Sequence, residues 1–217
     1  GMLDKFIGDA VMAAFGIPVA HDDDADRAVR AAIAMMRELR SWNRQRVAEG
    51  RLPLDIGIGL NTDTVVSGNI GSKKQMNYTI IGDGVNLAAR LESACKLYGA
   101  HILVSEFTYR QLKGTYFSRE MDVVVVKGKT QPVAIYEILD YHDEESYPNL
   151  ADALRLFKTG LLKYRQQKWT DAIEAFEEVQ AINPADAAPR LYRERCIYLM
   201  DHPPTDDWLG VWVMESK

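Results

Sequence analysis

Residues 3 to 16 set the strongest constraint on the fold. Leu3 to Ile7 and Ala10 to Phe15 are two short apolar runs flanking a Gly8-Asp9 turn. That pattern reads as a β-hairpin. One cation, Lys5, and one anion, Asp9, stand near its tip. Side chains alternate along a strand, so Lys5 is expected between Leu3 and Ile7 on one face. A charge on an otherwise apolar face calls for a partner or a ligand. The hairpin begins at the third residue, so whatever precedes it in a complete domain is expected to lie outside this sequence.

The rest of the chain must supply a core. Hydrophobic residues make up 47% of 217 residues, enough for one sizeable domain and a smaller one. The net charge of −5 argues against a nucleic-acid surface, which needs a basic patch. No run approaches a membrane span, and no signal peptide is visible at the start. Two cysteines, Cys95 and Cys196, fall in helical patterns far apart. Buried, reduced thiols and a cytoplasmic setting are expected.

Three consecutive aspartates, Asp22 to Asp24, precede a helix expected over 25–49. Ala28, Ala32, Met35, Met36 and Leu39 recur in it at helical spacing, and Gly50 stops it. Acidic residues at a helix start suit the macrodipole, with metal binding as the alternative. Strands are expected over 54–60, 65–70, 77–81, 102–104, 116–126 and 133–139, with helices over 85–98 and 105–112. Strands and helices mix without regular alternation. The expectation is an α+β sheet with helices on one face. A polar, acidic stretch over 141–148 reads as a linker. From Asn149 the pattern is helical, and Gly160, Trp169, Ala172, Phe176 and Pro184 match the spacing of one tetratricopeptide-type repeat. A further helix over 187–200 and a tail holding Trp208 and Trp212 follow.

The segment from Asn77 to Ala94 runs from a strand through Gly82-Asp83-Gly84 into a helix. Free backbone N–H groups at such a helix start converge on phosphates. Asn86 and Arg90 are four residues apart and share one face. Beside them Leu87, Leu91 and Tyr98 form an apolar stripe. An amide next to a guanidinium can stabilise charge on ribose and phosphate oxygens, although an exposed polar face would look the same.

Four motifs occur in order: Lys5-Phe-Ile-Gly-Asp9, Gly68-Asn-Ile-Gly-Ser72, Tyr78-Thr-Ile-Ile-Gly-Asp-Gly-Val-Asn-Leu-Ala-Ala-Arg90 and Val126-Lys-Gly-Lys129. Together, residues 2 to 139 strongly resemble the catalytic domain of class III nucleotidyl cyclases. The resemblance implies a ferredoxin-like cyclase sheet lacking its first strand and helices, in a catalytic domain over 1–140, with a repeat-like helical segment over 149–217. It also implies roles. Asp9 matches one of two aspartates that hold a pair of divalent cations, two Mg²⁺ or Mn²⁺ per complete site. Lys5 matches the purine-selecting lysine and Thr79 its partner. Asn86 and Arg90 match the transition-state pair, and Lys127 a lysine on the triphosphate. Sites of this family form between two head-to-tail chains, so a homodimer is implied for the full-length protein, with a sensor domain upstream and a parent that membrane anchoring would suit.

The donor pattern favours ATP. Lys5 can only donate, which suits adenine N1, and the Thr79 hydroxyl can accept from the amino group. Guanine presents the opposite pattern. The implied reaction is attack of the ribose 3′ oxygen on the α-phosphate, giving cyclic AMP and pyrophosphate. The first metal aspartate of the family has no counterpart here, so the 217 residues alone are expected to be inactive. Asp63 replaces a frequent glycine and reads as loop variation. The rival reading is a non-catalytic nucleotide-binding or dimerisation module with a helical interaction tail.

Overall fold

The computed structural model describes the chain except residues 73–74, 126–131, 206–207, 209 and 212–217. The turn holding Lys127 and the tail residue Trp212 therefore lie outside the described residues. The opening hairpin forms as expected: β1 (Met2–Ile7) pairs antiparallel with β2 (Ala10–Ala14), and Gly8 takes a φ of 64° at the turn. That left-handed value suits a residue without Cβ. The expected face for Lys5 holds toward Ile7, with which its register is regular, but not toward Leu3. Leu3 pairs with Ala13 but Lys5 pairs with Met12, so Asp4 is the extra residue of a β-bulge. A bulge breaks strict alternation and turns a side chain in a new direction.

Helix α1 (Asp24–Ala48) buries Val29, Ala32, Ile33 and Met36. Met35 stays exposed, so the buried stripe is rotated from the expected one. Gly50, with a φ of 74°, ends the helix. Among the aspartates, Asp24 accepts from the His21 backbone N–H, and Asp26 is buried. Asp26 accepts from the N–H groups of Lys113 and Gly114 and from the Tyr116 hydroxyl. Its role is to hold a distant loop.

The main sheet has the order β3-β6-β8-β7, from β3 (Ile58–Leu60), β6 (Ile102–Ser105), β8 (Pro132–Ile138) and β7 (Ser118–Val125). Among the described pairings of this sheet, β3 and β6 run parallel and the others antiparallel. β3 is shorter than expected, because the Asn43 side chain engages Leu54: its amide donates to the Leu54 carbonyl and its oxygen accepts the Leu54 N–H. β4 (Val66–Ser72) and β5 (Gln75–Ile81) form a second hairpin with its own ladder.

Helices cover both faces of the main sheet, not one. Ile102, Val104 and Ile138 pack with Val29, Ile33 and Met36 of α1. Leu103, Met121 and Ile135 pack on the other side with Leu87, Leu91, Cys95 and Tyr98 of α2 (Asp83–Tyr98). Every residue of β6 is buried. An unbroken apolar strand is what two covered faces require. The short helix expected over 105–112 is confined to α3 (Glu106–Tyr109), capped by Ser105.

Three helices follow, α4 (Leu150–Arg165), α5 (Trp169–Ile182) and α6 (Ala187–Asp201). Phe157, Tyr164, Phe176 and Tyr192 share the core that also holds α2. Within the polar stretch over 141–148, Tyr141 and Tyr147 are buried. Trp208 packs edge-on against Tyr164. Buried charge ties these helices to the sheet. Arg119 of β7 donates to Glu137 of β8 at 2.8 Å and to both oxygens of Asp186 at 2.6 and 2.9 Å. Asp186 also caps α6 and accepts from the Tyr147 hydroxyl. Asp122 of β7 receives Arg195 of α6 and Tyr98 of α2, each at 2.7 Å.

One cation facing two buried carboxylates leaves an excess negative charge. Asp186 takes most of the donors and is held below the usual carboxylate range, because Arg119 and its hydrogen bonds outweigh burial. Burial pushes Glu137 up from 4.5 to about 7. The folded state thus keeps a proton there that the unfolded chain releases. Stability from this group is complete at low pH and falls as pH rises through that window. In urea unfolding, wild type should lose stability relative to Glu137→Gln between about pH 5 and about pH 8. A constant difference across that range would contradict the assignment.

Candidate active site

The second hairpin and α2 position one half of the site. β5 ends at Ile81, and Gly82, with a φ of 155°, turns the chain into α2. Helix α2 lies very close on β3: a Cβ placed on Gly59 would sit 2.1 Å from the Ala88 carbonyl oxygen. The first turn of α2 is anchored by the loop after β3. Asn61 donates to the Gly84 carbonyl at 3.0 Å and accepts from Ser105 at 2.6 Å. Gly84 faces Asp63 so closely that a Cβ there would lie 2.4 Å from the Asp63 Cβ. Asp63 thus lies against the first turn of α2.

With Gly84, Leu87, Leu91, Cys95 and Tyr98 buried, Asn86 and Arg90 fall on the exposed face of α2. The apolar stripe lies where periodicity placed it. Both side chains are accessible to a molecule arriving from outside this chain.

The first hairpin supplies the other half. Thr79, buried on β5, donates its hydroxyl to Asp4 Oδ2 at 3.0 Å. Lys5 Nζ lies 3.5 Å from the same oxygen. The structure thus joins Lys5 and Thr79, 74 residues apart, through a carboxylate that sequence reasoning passed over. The signal available was an Asp-Lys pair inside a strand expected to alternate. Asp9 is exposed at the turn. No hydrogen bond ties Asp9 or Asn86 to the Asp4–Lys5–Thr79 group among the described residues.

A metal needs several donors converging. Among the described residues no group of three or more His, Cys, Asp or Glu side chains could hold an ion. Asp9 alone is at most one ligand, so these residues do not by themselves fit a metal pair.

Fold and site together define a domain of the nucleotide cyclase type. A crystal structure of the adenylyl cyclase CyaB from P. aeruginosa superposes with a TM-score of 0.58 at 40% identity, covering 64% of this chain and 71% of that one. The guanylyl cyclase Cya2 gives 0.55 at 38%, covering 64% and 69%. The chain belongs to the adenylate and guanylate cyclase catalytic domain family, whose sequence model matches residues 5–140. A terminal-differentiation-specific adenylate cyclase of Dictyostelium discoideum is 34% identical over 202 residues, or 91% of this chain, which carries the likeness into the C-terminal helices. An adenylate cyclase of Anabaena cylindrica is 39% identical over 145 residues, covering 64% of this chain. The chain spans only 9% and 28% of the lengths of these two relatives.

Proposed function

We propose that the chain is catalytic-domain sequence of an adenylate cyclase that converts ATP to 3′,5′-cyclic AMP and pyrophosphate at a dimer interface. The observation that carries this reading is the meeting of Lys5 and Thr79 at one carboxylate oxygen. A donor-only ammonium beside a hydroxyl matches the adenine edge, with Lys5 on N1 and Thr79 receiving the amino group. The solved structures do not choose the base, since adenylyl and guanylyl cyclases resemble the chain about equally, whereas the relatives from Dictyostelium discoideum and Anabaena cylindrica are both adenylate cyclases.

Arg90 and Asn86 are assigned to the reacting end. Arg90 meets the charge that builds on the α-phosphate as the 3′ oxygen attacks, and Asn86 orients the ribose. Lys127 is assigned to the triphosphate. Asp9 is assigned as one ligand of a divalent-metal pair whose remaining ligand comes from outside this sequence. A head-to-tail homodimer is supported by exposed apolar side chains on both hairpins: Leu3, Phe6, Ile7 and Val11 on the first, Val66, Met76 and Ile81 on the second. Residues 149–217 are read as a repeat-like helical segment with a tail, and its helices α4, α5 and α6 share the core of the sheet. No helix among the described residues is long and apolar enough to cross a membrane.

The direct test is nucleotide preference in the full-length protein. Lys5→Glu should lower kcat/KM for ATP by about 100-fold or more while affecting GTP far less, because it mismatches N1 of adenine only. An unchanged ratio of the two nucleotides would remove Lys5 from the purine site.

A further inference from the structure

Thr79 alone is a poor discriminator. A hydroxyl both donates and accepts, and it rotates to suit its partner. It can receive the amino group of adenine, or turn and donate to the carbonyl oxygen of guanine. Lys5 has a similar freedom, since its flexible ammonium can reach a guanine carbonyl as well as adenine N1.

Asp4 removes both freedoms. It is the extra residue of the bulge in β1, and its side chain is fully buried. As a carboxylate it only accepts, so its bond with Thr79 runs one way: the hydroxyl proton goes to Asp4 Oδ2. The Thr79 lone pairs are left as the only hydrogen-bonding capacity it can offer a base. The same oxygen holds the Lys5 ammonium at 3.5 Å. The second oxygen, Oδ1, is buried without a hydrogen-bond partner among the described residues. An unsatisfied buried carboxylate oxygen is costly. A strand that served only to pack would have no use for it, and a bulge is the device that points such a side chain inward beside a site.

We propose that Asp4 is a positioning residue for substrate specificity: it locks Thr79 as an acceptor and tethers Lys5, so that the pair reads adenine and rejects guanine. The proposal rests on the purine-site reading of Lys5 and Thr79 above. It assigns to Asp4 a role that neither its neighbour nor Thr79 can fill.

The test compares kcat/KM for ATP and GTP in the full-length protein and in Asp4→Asn, Asp4→Glu, Thr79→Val and the Asp4→Asn/Thr79→Val pair. Asparagine can donate to Thr79, which frees the hydroxyl to turn. Asp4→Asn should lower the ATP-to-GTP ratio by about 10-fold, the scale of one misdirected hydrogen bond. Asp4→Glu keeps acceptor-only chemistry and should retain most of the preference. The double variant should lose less than the two single losses multiplied together, because without the hydroxyl only the Lys5 tether is left for Asp4→Asn to break. The ratio is taken within each preparation, so a loss of folded enzyme cancels. Equal loss for both nucleotides in Asp4→Asn, or independent effects in the double variant, would overturn the proposal. Lys5→Glu separates the two levels. If it shifts the ratio and Asp4→Asn does not, only the role of Asp4 fails. If neither shifts it, the purine site itself is misassigned.

Discussion

Arg90→Ala should reduce cyclase turnover of the full-length protein by about 10²- to 10³-fold, the usual cost of removing a charge-stabilising donor from a transition state. The loss should fall on kcat with little change in KM, since the guanidinium is assigned to charge that exists only as the bond forms. Folding should hardly change. Arg90 is exposed on α2, beside the buried stripe of Leu87, Leu91 and Cys95. Surface changes of this kind cost about 0.5 kcal/mol or less. Arg90→Lys should recover only part of the rate, because an ammonium lacks the planar fork of a guanidinium. Wild-type turnover in Arg90→Ala would remove the residue from the chemistry. A large fall in thermal midpoint would assign it to structure instead.

Arg119→Ala should destabilise the fold by about 3–5 kcal/mol, the scale for breaking a buried ion pair from one side. The arginine is almost wholly buried, bridges Glu137 to Asp186, and stacks over the Phe157 ring at 4.6 Å. Without it Glu137 and Asp186 lose the cation that pairs them. Urea unfolding measures the loss. Combining Arg119→Met with Glu137→Gln and Asp186→Asn should restore part of it, since the uncompensated charge is then removed along with its partner. A midpoint unchanged in Arg119→Ala would mean that solvent reaches the cluster. The same loss bears on function, because Tyr98 at the end of α2 and Arg195 of α6 meet at Asp122, three residues along β7 from Arg119. The helix that presents Arg90 is therefore packed against the C-terminal helices.

Much of this was legible in the order of residues. Two apolar runs around Gly8-Asp9 made the hairpin plain, because a tight turn needs a residue free to take positive φ. The stripe of Leu87, Leu91 and Tyr98 oriented α2 and so placed Asn86 and Arg90 outward. What was hidden depended on breaks in periodicity or on distant partners. A single extra residue at Asp4 broke the alternation between Leu3 and Lys5, and nothing local announces a bulge. β3 is short because Asn43, eleven residues away, takes the Leu54 backbone groups that a strand would use. Helices on both faces were signalled by the unbroken Ile102-Leu103-Val104 run, which alternation-based reading passed over. The meeting of Arg119 with Asp186 spans 67 residues and involves charges that look like surface in the sequence. Lys127 lies outside the described residues, so its assignment rests on resemblance alone.

The central claim is that these residues serve cyclisation of ATP. The most direct measurement is product analysis on the full-length protein supplied with ATP and a divalent cation. The account predicts 3′,5′-cyclic AMP and pyrophosphate in equal amounts, with formation of both abolished or nearly so in Arg90→Ala. Intact ATP with a folded, dimeric full-length protein, or cyclic AMP formed equally well by Arg90→Ala, would contradict it.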